Sequence, residues 1–409
     1  MVTTTPGSGT AEQAVLPTIP FGQPDILEAP PTARELQARC PVSRVMTPAG
    51  DKAWLVTGYD EVKQIYSDDR FGVSHRDPEH APRLGASKLI GGPGGNFETE
   101  HADRARLRSY LAPFFSVKRM RAFRPRVELL VEEAFRDIEA QGPPADLHDG
   151  LAVRLPVGVI CELLAVPPAD RAQFREWTQG VADSADKERS GRSFGELLSY
   201  TGQLVARRRA KPGDDVISGL CATDGGALSD RYISFIAAML LFAGHETTVA
   251  RLDYGVLLMI AHPEQRRLLM DKPDRLQAAV EEILRAVVHG GARETIRYAR
   301  EDVVIGGVTI HCGDLVVLYS AAANRDRRFF PGPEGFDICR PQRPHLTLGY
   351  GPHYCLGAPL VRIELETVFS RLFQRFPGLR LEGPIQQLEA RRDVLTGGLS
   401  ALPVTWDSI

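Results

Sequence analysis

The chain reads as a mainly α-helical protein with a small β region, on three observations. Apolar residues recur at helical spacing from about 103 to 289, broken at Gly142-Pro-Pro144, Pro167-Pro168 and Lys211-Pro-Gly-Asp214. The β-rich runs are short and fall in two places, near residue 53 and between 295 and 320. From Asn324 to Pro344 the composition turns to Pro, Arg, Gly and Phe without periodicity, so irregular structure held by specific contacts is expected there.

The elements follow in order. Residues 1–20, opening Met-Val-Thr-Thr-Thr-Pro-Gly-Ser-Gly-Thr, carry no basic run followed by an apolar one and read as a disordered arm, leaving 21–409 as a single domain. Ala53-Trp-Leu-Val-Thr57 has the content of a strand, and Tyr59 to Ser67 that of a helix. Residues 73–100 are rich in Gly, Pro, His and Asp and form a long loop able to cover a pocket. A helix from Ser229 to His262 would run roughly 50 Å at 1.5 Å per residue. Its residues 233–243 are apolar on nearly every face, so burial is expected. Val303-Val-Ile-Gly-Gly-Val-Thr-Ile310 is a hairpin around a Gly-Gly turn, and Leu315 to Tyr319 another strand.

Composition excludes several classes. With 43% hydrophobic and 25% charged residues among 409, the chain is that of a globular protein. A net charge of -3 gives no reason to expect bulk nucleic-acid binding. The six cysteines, at 40, 161, 221, 312, 339 and 355, show no CxxC or paired spacing, which argues against a disulfide framework or zinc cluster and fits a reducing cytoplasm. The longest strongly apolar stretch, Ile233 to Gly244, is shorter than a bilayer span, so a soluble protein is expected.

Chemistry concentrates in three runs. In Leu348-Gly-Tyr-Gly-Pro-His-Tyr-Cys-Leu-Gly357, glycines let the backbone wrap tightly around Cys355. A helix from Ala358 to Glu366 follows, and a thiolate at a helix N-terminus is stabilised by unpaired N–H groups and the helix dipole. One anionic sulfur without a second cysteine is a poor zinc site but a suitable axial ligand for haem iron; taken alone, it is better read as a structural cysteine in a turn. Ala243-Gly-His-Glu-Thr-Thr248 places a carboxylate and hydroxyls inside the apolar helix, which is costly unless they are paired or used. A helix surfacing at residue 245 would explain the run as well. Glu282-Ile-Leu-Arg285 puts acid and base on one helix face, a spacing common in solvated salt bridges.

Together these runs resemble cytochromes P450, whose cysteine loop is roughly Phe-Gly-x-Gly-x-His-x-Cys-x-Gly; Leu348 replaces the phenylalanine and Val361 a common alanine. The resemblance extends from the first strand to Leu402-Pro-Val-Thr-Trp406. It implies the P450 fold, a triangular helical domain with a long central helix over haem, and haem b (iron protoporphyrin IX) with Cys355 as thiolate ligand. Leu348, Gly349 and Gly357 would lie against the cofactor, and Ala243 and Gly244 would leave room for dioxygen. Glu246 and Thr247 would be the acid–alcohol pair that delivers protons. Arg108, Arg297 and His353 would hold the propionates; Arg104 occupies a histidine position of that set, and His101 lies three residues upstream. Glu282, Arg285 and Arg340 would form a structural triad holding the irregular segment.

The resemblance further implies a monooxygenase that inserts one oxygen atom from dioxygen into a C–H or C=C bond. Phrases such as Asp146-Leu-His148, Lys211-Pro-Gly-Asp214 and Ala401-Leu-Pro-Val-Thr-Trp406 resemble class I enzymes that tailor polyketides, macrolides and terpenoids in actinomycetes. Substrate contacts would come from the 73–100 loop, from Leu240 to Thr247 (Leu240 and Ala243 among them), from His289 to Thr295, and from Leu395 to Leu399 with Thr396. Gly290 and Gly291, before Thr295, imply a roomier wall. Arg104, Arg106, Arg108, Lys118, Arg119 and Arg121 form a basic stretch suited to an acidic ferredoxin, itself reduced by a ferredoxin reductase. The protein would act as a cytoplasmic monomer without membrane or nucleic-acid partners. Two rivals stand beside this reading: a haem sensor without turnover, and a P450 performing oxidative coupling, ring formation or desaturation.

Overall fold

The computed structural model describes residues 15–85, 91–182, 186–288, 295–391 and 398–407; the side chains of Ala182, Lys187, Asp224 and Glu246 lie outside that description. Its axis is the helix Asp230–Ala261, 32 residues long and started by Ser229, whose hydroxyl accepts from the Tyr232 N–H at 3.3 Å. Ile236, Ala237, Leu241, Leu252 and Leu257 are buried against the flanking helices Arg154–Leu163 and Lys187–Ala210. By length and composition this helix could cross a membrane, yet 65% of its most apolar window is buried by protein, which is the position of a core helix.

Burial is not complete around it. Phe235 and Met239 are 44% and 41% exposed, and Ala243, four residues on, is exposed too. Spacing by four keeps these three on one face, and Ala243 of the three lines a cavity.

The β region is small, and its main sheet and hairpin lie where expected while a further small sheet does not. Five strands run in the order Val42–Met46, Lys52–Val56, Leu315–Leu318, Thr295–Ala299, Phe71–Gly72. The pairing of Lys52–Val56 with Leu315–Leu318 is parallel and joins the two ends of the helical region. Gly306 and Gly307, at φ 56 and 80, form the turn between Val303–Ile305 and Val308–Ile310; two consecutive left-handed residues are what a tight hairpin requires. A third sheet joins Ala145–Asp146 and Arg380–Leu381 to Pro403–Thr405.

Packing starts before residue 21, earlier than the sequence suggests. The Met46 N–H donates to Pro17 at 2.9 Å, the Ile19 N–H returns to Met46 at 3.0 Å, and Ile19 and Phe21 join the cluster around Val45 and Leu55. Burying these two apolar side chains offsets the cost of ordering the backbone that carries them. The described residues of 73–99 are mostly irregular, as their composition implies, and the helix Glu100–Leu111 follows.

Candidate active site

The cysteine loop is built by its glycines. Gly349 sits at φ 73, and a Cβ there would come within 2.7 Å of the His353 carbonyl, so only glycine fits. The turn it allows brings the Cys355 N–H to the Leu348 carbonyl at 2.8 Å. The helix Ala358–Phe369 starts three residues after Cys355, with Gly357 as its N-cap. Cys355 thereby lines a cavity of about 470 Å³, within the range of small-molecule sites.

The central helix lines the same cavity with Leu240, Ala243, Gly244, Thr247 and Thr248. Thr247 Oγ1 donates to the Ala243 carbonyl at 3.1 Å, the return bond a threonine makes inside a helix. A Cβ on Gly244 would stand 3.0 Å from Ile160 Cδ1. That glycine therefore serves helix packing as well as cavity space. Glu246 is on the helix between Gly244 and Thr247, its side chain outside the described residues.

Positive groups converge on one edge of the cavity. Arg297, 4% exposed, lines it beside His353. Arg104 Nη1 lies 2.8 Å from His353 Nε2, and Arg104 Nη2 lies 3.1 Å from His101 Nδ1. Burial pushes the His353 pKa down to about 3, helped by Arg297, Arg104, His101 and Arg108, so its ring is neutral and Nε2 accepts from Arg104. Burial likewise lowers Arg297, whose Nε has no hydrogen-bond partner among the described residues. Of these cations Arg297 is buried, and a buried cation is costly without an anion beside it. Two carboxylates on the rim of a flat group would supply such anions while its face meets the cysteine sulfur, and the residues present fit a haem in this way.

Arg108 stands at the same edge, where its charge bears on His353. Its Nη1 donates to the Tyr354 carbonyl at 2.7 Å, bracing the loop one residue before Cys355, while Arg104 reaches His353. The histidine position is thus filled by an arginine that still faces the cluster.

Comparison with known proteins agrees with this arrangement. The sequence model described as "Cytochrome P450" matches residues 207–389. Pentalenolactone synthase from Streptomyces exfoliatus is 41% identical over 396 residues, 96% of this chain and 99% of that protein. The chain belongs to the cytochrome P450 family. Among solved structures, the substrate-free polyene macrolide antibiotic pimaricin epoxidase, P450 PimD, superposes with a TM-score of 0.85 at 40% identity, covering 96% of this chain and 99% of that one. Cytochrome P450mel 107F1, with biaryl coupling reactivity, gives 0.86 at 34% identity over 95% and 99%. Membership makes this P450 an oxidoreductase with a haem-thiolate iron, acting on small molecules with electrons from redox partners.

The remaining expected residues of the P450 divide clearly. Glu282 and Arg285, 3% and 2% exposed, pair in two bonds of 2.7 and 2.8 Å, and Arg340 Nε lies 3.2 Å from Glu282. Arg285 and Arg340 also donate to the Asn324, Gly332, Pro333 and Gly335 carbonyls, which ties down the irregular segment. Thr295, Leu348 and Gly357 line the cavity with the residues named above. Gly290, Gly291, Leu395 and Thr396 lie outside the described residues. No described residue of 73–100 lines the cavity.

Sequence reasoning missed several lining residues. Tyr66 donates its hydroxyl to Thr295 Oγ1 at 3.3 Å and lies 3.3 Å from Ser320 Oγ; nothing local signals this meeting of three segments. Glu364, fully buried by the helix Ala358–Phe369, has its pKa raised to about 8 by burial. Its position one turn after Leu360 on an apolar face was a readable signal. Arg251, one turn past Thr247 on the central helix, was readable in the same way.

Proposed function

We propose that this P450 is a cytoplasmic, monomeric, ferredoxin-dependent monooxygenase carrying haem b on the Cys355 thiolate. It inserts one atom of dioxygen into a C–H or C=C bond of a medium-to-large apolar natural product of polyketide, macrolide or terpenoid type; two electrons and two protons reduce the other atom to water. The observation that carries the reading is the meeting, across one cavity, of Cys355 below and Ala243, Gly244 and Thr247 above. When bound, the haem supplies the oxygen chemistry, and thiolate donation favours O–O cleavage. Thr247 holds a hydroxyl over the cavity where protons must enter, and Glu246, its neighbour in sequence, connects that hydroxyl to the proton supply. Arg297, His353 and Arg104 hold the propionates, with Arg108 fixing the cysteine loop.

The open stripe Phe235–Met239–Ala243 gives a large apolar substrate a wall to lie along. The pimaricin epoxidase and pentalenolactone synthase similarities support a tailoring role. On the cysteine side Lys118 and Arg121 are exposed, and with them a ferredoxin, charged by its reductase, has a basic landing area; Arg106 and Arg119 are already paired with Asp103 at 3.1 Å and Asp214 at 2.8 Å. The biaryl-coupling neighbour keeps a second reading alive, because coupling uses the same oxidant and substrate placement decides the outcome.

A reduced carbon-monoxide difference spectrum tests the ligand: the wild type should give the strongly red-shifted Soret band of thiolate-bound haem, and Cys355→Ser should abolish it. A wild-type band at the position of nitrogen-ligated haem would overturn the assignment. Product mass then separates insertion, a gain of one oxygen, from coupling or desaturation, a loss of two hydrogens.

A further inference from the structure

Three hydroxyl groups meet on the cavity wall beside Arg297, and neither oxygen chemistry nor thiolate ligation uses them. Tyr66 comes from the last turn of the helix Tyr59–Ser67, Thr295 opens the strand Thr295–Ala299, and Ser320 follows the strand Leu315–Leu318. Thr295 pairs with Leu318, which brings Ser320 close. Residues two apart on a strand share a face, so Thr295 and Arg297 face the cavity together. Tyr66, 4% exposed, packs its ring against the guanidinium, with Arg297 Cζ 5.6 Å from the ring centroid.

The trio is under-satisfied. Tyr66 Oη lies 3.3 Å from both Thr295 Oγ1 and Ser320 Oγ, beyond the roughly 2.7–2.8 Å usual between hydroxyls. Among the described residues neither Thr295 Oγ1 nor Ser320 Oγ has a further hydrogen bond. Two contacts occupy at most two of the three hydroxyl protons, so a donor is left over, and a hydroxyl turns to meet a better acceptor. Arg297 has the matching lack: its Nη1 donates to the Ile296 carbonyl at 2.7 Å, while its buried Nε donates to nothing among the described residues. The Glu100 carboxylate is in electrostatic reach of Arg297, yet its oxygens accept from the Val73 and Ser74 N–H groups and the Ser74 hydroxyl. A buried cation and a spare hydroxyl proton on one wall are answered together by a second carboxylate, whose two oxygens accept from both.

We propose that Tyr66 is a cofactor-binding residue: its hydroxyl donates to the haem propionate that Arg297 neutralises, and Ser320 donates in turn to the phenol oxygen. The proposal rests on the P450 reading and adds a neutral donor to Arg297, His353 and Arg104. An ionised carboxylate accepts more strongly than the Thr295 hydroxyl, so the phenol proton turns from Thr295 to the propionate. Chained hydroxyls polarise one another, and Ser320 thereby strengthens the bond that Tyr66 makes. A phenol also holds the carboxylate without adding charge to an edge already cationic.

The test uses ferric holoprotein. Resonance Raman excitation in the Soret band shows the propionate bending modes, whose frequencies rise with hydrogen bonding to the carboxylates. Tyr66→Phe keeps the ring and removes the hydroxyl, and should lower one of the two modes while leaving the other in place. Haem release to excess apomyoglobin should quicken about threefold to tenfold, the worth of one net hydrogen bond. Thr295→Val removes the competing acceptor and should move the same mode the opposite way. Both modes unchanged in Tyr66→Phe overturns the proposal whatever the release rate, since a ring that merely packs would alter release alone. An equal fall in both modes does so too, as general loosening of that edge would produce it. Should Tyr66→Phe fail to load haem, Thr295→Val decides: a raised mode supports the proposal, and an unchanged or lowered one ends it. The carbon-monoxide band is read on the wild type separately, so a failed Tyr66 contact leaves a thiolate-bound haem visible, and a failed family reading does not.

Discussion

Thr247 shares the central-helix wall of the cavity with Leu240, Ala243, Gly244, Thr248 and Arg251, and its chemistry turns on its hydroxyl oxygen. Its proton is donated to the Ala243 carbonyl, which leaves lone pairs facing the cavity to accept from a proton donor. Thr247→Val keeps the shape and removes the hydroxyl. Product formed per reducing equivalent should fall about tenfold or more in that variant, the low end of what positioned proton transfer contributes, while Thr247→Ser retains most of it. Equal coupling in wild type and Thr247→Val, measured as product against NADH consumed, would remove Thr247 from the proton path. At this scale the sequence was readable where one residue type is demanded by local geometry. Gly349 is required by its φ and by the nearby His353 carbonyl. The resemblance told Arg108, a propionate position, from Arg104, a histidine position, but only the fold shows that Arg104 reaches His353 and Arg108 the Tyr354 carbonyl.

Between elements, the helices Leu276–Ala286 and Ala358–Phe369 are joined by Glu281. Arg362 donates to it at 2.6 and 3.1 Å, His345 Nε2 lies 3.3 Å away, and Arg362 also reaches the Tyr354 hydroxyl at 2.9 Å beside the cysteine. Burial alone would raise the Glu281 pKa, but bonds from His345 and Arg362 outweigh it and bring the group down to about 2. A carboxylate whose folded pKa lies below its unfolded one adds stability above the unfolded value and loses it as pH falls towards the folded one. The contribution of Glu281, on the order of 1–3 kcal/mol, should therefore be whole above about pH 4.5 and lost on the way to about 2. The difference in urea midpoint between wild type and Glu281→Gln should shrink from pH 5 to pH 3; a constant difference would show that Glu281 acts by packing alone. None of this was legible in the sequence. The hairpin at Gly306-Gly307 and the cap at Ser229 rest on neighbours in the chain, whereas Glu281, His345 and Arg362 come from three distant segments with no spacing to join them.

Across the whole molecule, the central helix is fastened to both later and earlier chain by a buried acid–histidine pair. His148 Nδ1 lies 2.8 Å from Asp253 Oδ2, and Asp253 is fully buried. Asp146 Oδ1 accepts from the His148 N–H at 2.8 Å and the Leu402 N–H at 2.7 Å, and the Leu147 N–H donates to Leu402 at 3.0 Å. The turn at Asp146-Leu-His148, the helix that carries Thr247 and the closing strand are thus locked together about one and a half turns from the active site. Asp253→Leu alone would strand the histidine in the core and should cost about 3–5 kcal/mol, as for one broken partner of a buried pair. His148→Leu alone would strand the carboxylate at a similar cost. Removing both leaves nothing charged to desolvate, so the double variant should be less destabilised than the sum of the singles by about 0.5–3 kcal/mol. Urea unfolding of the four proteins closes the cycle. Additive losses would mean that the two side chains fill space independently, and that the central helix is held over the cavity by apolar packing alone.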